Sequence, residues 1–128
     1  MTKYVFVYGT LKYGYNNHIH ISPMVEFVDS AILNNHKLYY SSGQNSYPVM
    51  CKTPYNKVLG ELYKVSNLSV FDIMDEIEGE GFLYNRTEVK TFTTDMKMYN
   101  AYTYVGNPST WDFDTMDEVT NKKISEWR

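Results

Sequence analysis

The chain has 128 residues, 43% of them hydrophobic, which suits one compact domain over residues 1–128 and leaves no length for a second. The net charge of −3 is uneven: residues 1–64 hold six Lys and three acids, residues 65–128 six Lys or Arg and twelve acids. Neither half is a basic tract, so no nucleic acid partner is expected, and no apolar run approaches the length of a membrane span.

Residues 3–8 read as a central strand, continuous in β-branched and aromatic residues. Residues 9–17, with Gly9, Gly14, Asn16 and Asn17, read as a loop. Residues 18–40 alternate loosely and predict a short helical turn followed by strand. SSGQNSYP at 41–48 is a loop of turn formers. Val49–Cys51 and 57–65 predict two further strands. Gly60 inside the second signals a bulge or a close backbone approach. Leu68, Phe71, Met74 and Ile77 recur every three residues and predict a helix over 67–78, with Ser66 as N-cap and the GEG at 79–81 as its stop. Residues 82–94 and 97–105 predict a long antiparallel hairpin. The tail at 111–128 predicts a short helix through Phe113, Met116 and Val119. Many strands and one firm helix argue for a mixed, β-rich α+β domain whose sheet is closed or nearly so.

Two stretches can carry chemistry. The first is Tyr8-Gly9-Thr10-Leu11, where the buried strand stops. A glycine there lets the backbone turn, and successive amides in a tight turn can hold an anion or a carbonyl oxygen. On local chemistry alone the same glycine can simply end a strand. The second is the acidic run in which Asp72, Asp75, Glu76, Glu78 and Glu80 fall within nine residues with no Lys or Arg among them. Such a run is either a solvated helix face or the site of a general base. Glu78 follows the apolar Ile77 at the helix end, beside the buried stripe. Partial desolvation among like charges raises a carboxyl above its usual range.

Other candidates have less behind them. His18 and His20 can share one strand face, but no third ligand stands near them, which argues against a metal site. Cys51 is the only cysteine, which excludes an internal disulfide and fits a reducing, cytoplasmic setting. Nothing local pairs it with His20 or His36 as nucleophile and base. The N-terminal MTKYVFVYG lacks a signal peptide's long apolar region. No phosphate-binding G-x-x-x-x-G-K-[ST] loop and no G-x-S-x-G elbow occur.

Taken together, these stretches resemble the γ-glutamylcyclotransferase family, which includes γ-glutamylamine cyclotransferases and AIG2-like proteins. The resemblance spans roughly residues 4–105. Its anchors are Tyr8-Gly9-Thr10-Leu11 with Lys12, Gly14 and Asn17, then Tyr47-Pro48, then Gly60-Glu61-Leu62-Tyr63. Asp75, Glu78, Tyr84 and Arg86 follow, with Ala101–Val105 as a returning strand. It implies a small barrel of about six strands flanked by a few helices, with a cavity at one end. It further implies that Glu78 is the catalytic carboxylate; because a second acid, Glu80, stands in the GEGFL stretch that follows, Glu76 and Glu80, two residues to either side, are the alternatives. Gly9, Thr10 and Leu11 would offer backbone amides to the substrate. Tyr8, Tyr47, Tyr84 and Tyr104 would form the pocket walls, and Arg86 would brace the acidic helix. The implied reaction converts a small-molecule γ-glutamyl amine or peptide into 5-oxoproline and the free amine, with no metal or cofactor. Two other readings stand beside it: a protein that binds such a molecule without turning it over, and an enzyme of this fold with a different substrate.

Overall fold

The computed structural model describes residues 2–40, 47–119 and 124–127. Strand β1 (Tyr4–Val7) buries Val5, Phe6 and Val7 almost completely. A strand covered on both faces needs partners on both edges. It pairs antiparallel with β3 (Val49–Val65) and parallel with β5 (Met98–Gly106). β3 pairs antiparallel with β2 (Val25–Tyr40), β2 with β4 (Tyr84–Thr93), and β4 with β5. The ring β2-β4-β5-β1-β3 therefore closes on itself through β2–β3 as a five-stranded mixed barrel. Two short strands extend it: β6 (Asp117–Glu118) on β2 and β7 (Ile124–Ser125) on β3. Closure removes the free edges that would otherwise invite pairing with other chains.

Alternation along β1 feeds two cores. Phe6 and Tyr8, the latter just past the strand, join Ala31, Leu33, Met50 and Leu62 in a cluster drawn mainly from strands, the barrel interior. Val5 and Val7 point the other way and meet Val70 and Met74 of the one α-helix among the described residues, α1 (Val70–Glu78). The helix thus lies across the outside of the barrel at β1.

Several expectations change in detail. The helix starts three residues later than its periodicity suggests. Ser69, not Ser66, stands at its N-cap, and Leu68 is 65% exposed. Val70 and Met74, four apart, take the buried stripe, with Phe71, Ile73 and Ile77 packed beside them. Asn67 turns the chain into the helix by accepting the Ser69 N–H at 2.9 Å. Gly79 ends it in the left-handed conformation, φ 62°, with its N–H on the Asp75 and Glu76 carbonyls. The two strands expected at 49–51 and 57–65 are one. A register shift between Asn34 and His36 lets residues 53–56 bulge outward, so Pro54 interrupts no ladder. Gly60 sits in regular register opposite Ala31, and a Cβ there would lie 2.5 Å from the Val7 carbonyl oxygen. It therefore marks a close approach rather than a bulge. His18 and His20 lie in a 3₁₀ turn, not on a strand. The helix expected in the tail is only a 3₁₀ turn, Phe113–Thr115, because Asp112 caps the Asp114 N–H and the chain then extends into β6. Most of the expected 41–48 loop, residues 41–46, lies outside the described residues.

Candidate active site

Where β1 ends, the backbone folds into a compact loop. The Lys12 N–H donates to the Gly9 carbonyl at 3.0 Å and the Asn17 N–H to the Thr10 carbonyl at 3.1 Å. Asn17 Nδ2 also donates to Thr10 Oγ1 at 2.8 Å. Among the described residues no backbone carbonyl takes the Thr10 or Leu11 amide. Gly9 is not in the left-handed region; what demands glycine is Pro48, whose Cγ would lie 2.7 Å from an added Cβ. Pro48 is held in turn from the other side, since its carbonyl accepts the Tyr84 hydroxyl at 2.8 Å.

A cavity of about 460 Å³ opens between this loop and the C-terminal end of α1. All eight residues singled out from the sequence line it: Tyr8, Gly9, Thr10, Leu11, Tyr47, Glu78, Tyr84 and Tyr104. Asn16, Asn17, Pro48, Ile77 and Leu83 line it as well. In the sequence Asn16 signals only a loop, Asn17 and Pro48 only a loop and an anchor of the resemblance, and Ile77 only the apolar stripe of the helix. Leu83 follows the helix stop at the start of a strand pattern, where no local signal distinguishes it. The tail contributes from behind: Trp111 stacks edge-on against Tyr47 and tilts against Tyr84, its indole N–H tied to the Leu83 carbonyl at 2.7 Å.

Glu78 is the last helical residue. The cavity reaches its side chain, yet protein surrounds it otherwise, and this burial pushes its carboxyl up to about 7. The cause is desolvation and not the neighbouring acids, contrary to the expectation that like charges share in it. The carboxylate raises the affinity of the Tyr8, Tyr84 and Tyr104 phenols for their protons, although burial is the larger cause in each. All three hydroxyls donate elsewhere: Tyr8 to the Tyr104 carbonyl at 2.6 Å, Tyr84 to Pro48, and Tyr104 to Asp75 Oδ1 at 2.6 Å. No described residue hydrogen-bonds to the Glu78 carboxylate, so nothing offsets its desolvation.

The other acids do different work. Arg86 Nη1 bridges both Asp75 oxygens, at 3.1 and 3.3 Å, and its guanidinium lies over the Phe71 ring at 4.8 Å. This is the brace expected of Arg86. Glu80 is exposed and accepts the Arg86 backbone N–H at 3.2 Å, and Glu76 is exposed too. Neither lines the cavity. Burial pushes the Cys51 thiol up, the wrong direction for a nucleophile. Among the described residues no three His, Cys, Asp or Glu side chains gather where a metal ion could sit, and no helix is long and apolar enough to cross a membrane.

The family profile described as "Gamma-glutamyl cyclotransferase, AIG2-like" matches residues 5–128. A γ-glutamylaminecyclotransferase A from Danio rerio is 28% identical over 122 residues, which cover 91% of this chain and 75% of that protein. The crystal structure of an AIG2-like protein from Mus musculus superposes with a TM-score of 0.74 at 20% identity, over 91% of this chain and 85% of that one. A solved γ-glutamyl cyclotransferase superposes at 0.68 and 23% identity, over 92% and 70%. A barrel of the same build and a match along nearly the whole chain give one answer: the protein belongs to the AIG2-like γ-glutamyl cyclotransferase family.

Proposed function

We propose that the protein converts a γ-glutamyl amine or γ-glutamyl peptide into 5-oxoproline and the free amine, with Glu78 as the proton-transfer group. The substrate carries its own nucleophile. Its α-amine attacks the γ-carbonyl carbon, a C–N bond forms within the new five-membered ring, and the original amide C–N bond breaks. The α-ammonium carries three protons and the lactam nitrogen keeps one, so two must move. Glu78 takes one before the attack and one as the ring closes, passing each in turn to the departing nitrogen, which leaves as an ammonium. Atoms balance without water, metal or cofactor. Holding the folded substrate supplies much of the acceleration, since an oriented intramolecular attack is worth roughly 7–11 kcal/mol.

The observation that carries this reading is Glu78 itself. A carboxylate with a value near 7 and no internal donor, facing a cavity, is poised to take a proton at neutral pH. Thr10 and Leu11 line the same cavity, and their uncommitted amides suit the substrate's α-carboxylate or the developing oxyanion. The Danio rerio relative points to γ-glutamylamines as the first compounds to try. The test is 5-oxoproline release from a panel of γ-glutamyl amines and peptides. Release identifies the leaving amine. Saturable binding of a panel member without release marks the protein as a binder and overturns the proposal.

A further inference from the structure

Three phenols line the same cavity as Glu78. Tyr8 follows β1, Tyr84 opens β4 and Tyr104 lies on β5, and the carboxylate acts on all three. Tyr47, ahead of β3, acts on Tyr84. On α1 itself, Asp75 stands one turn before Glu78 and is paired with Arg86 of β4. A phenol beside a desolvated carboxylate is its natural donor, yet none of these donates to it. Tyr8 and Tyr84 give their protons to backbone carbonyls. Tyr104 alone gives its proton to a side chain, Asp75 Oδ1 at 2.6 Å. Asp75 cannot swing away with it, because Arg86 grips both its oxygens and is itself stacked on Phe71.

We infer that Asp75 is a positioning residue: it holds the Tyr104 hydroxyl away from Glu78, so that the Glu78 carboxylate has no internal donor and is open to the proton of a substrate ammonium. The inference rests on Glu78 as the proton-transfer group. Asp75 touches no substrate in this scheme; it acts through Tyr104.

The test reads the Glu78 carboxyl directly, by its ¹³C shift against pH without substrate, so a protein that releases no 5-oxoproline still tests Asp75. In Asp75→Ala the freed Tyr104 hydroxyl turns to Glu78, and the midpoint falls by about one pH unit. Asp75→Asn removes the same charge but keeps an acceptor oxygen, and its midpoint stays near the wild-type one. The double variant Asp75→Ala/Tyr104→Phe has no hydroxyl to turn and returns to the wild-type midpoint. An unmoved midpoint in Asp75→Ala, or an equal fall in Asp75→Asn, overturns the inference.

Discussion

Glu78 differs from the four acids near it in sequence by a single circumstance, its place at the cavity. Its folded value of about 7, against an ordinary 4.5, means that the folded chain holds this proton more tightly than the unfolded chain does. Between those two values the folded state carries the extra proton, so stability falls as pH rises through that window. The full loss is about 3 kcal/mol. Glu78→Gln removes it. Urea melts should find the variant more stable than wild type at pH 8 and close to it at pH 4. A variant less stable at pH 8 would contradict the desolvation argument. The sequence placed Glu78 at the edge of the buried stripe, which was enough to single it out. It could not show that its donors are withheld. The bonds that withhold them join residues 96, 36 and 29 positions apart, and no local pattern reports a hydroxyl's choice of partner at that distance.

At the scale of elements, the site is a junction between a loop, a helix end and two strands, and its tolerances are set by close approaches. Gly9→Ala puts a Cβ 2.7 Å from Pro48 Cγ. Pro48 must then move, and with it the carbonyl that holds Tyr84. We expect a loss of about 1–3 kcal/mol in stability and a raised KM, measured by denaturation and by substrate titration. Unchanged KM would mean that the loop does not shape the substrate site. The Arg86–Asp75 pair joins β4 to α1 with both side chains about a third exposed. As an ion pair it is worth at most about 1 kcal/mol. Arg86→Met should therefore cost little in denaturation and yet alter the Tyr104 environment, visible in its ring resonances. Element types were largely legible because period 2 and period 3 patterns are strong here. Boundaries were less so. The helix began at Val70 because Asn67 and Ser69 occupy the turn, and the β2–β3 pair absorbed Pro54 through a register shift that only pairing reveals.

For the whole molecule, the decisive event is closure of the sheet, which places the end of β1, the α1 terminus and the start of β4 around one cavity. Gly60 lies next to the last β1–β3 pair, Val7 with Glu61, against the Val7 carbonyl and the Phe6 ring. Gly60→Ala should destabilise the barrel cooperatively, by about 1–3 kcal/mol, with no change in the urea m-value. An increase in stability would remove the close approach from the account. A closed sheet was foreseen from many strands and one helix. The ring of five with two short additions was not, since β6 and β7 are two residues each and carry no periodicity.

The most direct measurement is 5-oxoproline release by wild type and Glu78→Gln on the best γ-glutamyl substrate, followed against pH. The account predicts a rate that rises with pH through about 7 in the wild type, and a loss of roughly 10²–10⁴-fold in kcat for the glutamine variant with its fold intact. Turnover by folded Glu78→Gln at the wild-type rate would contradict it.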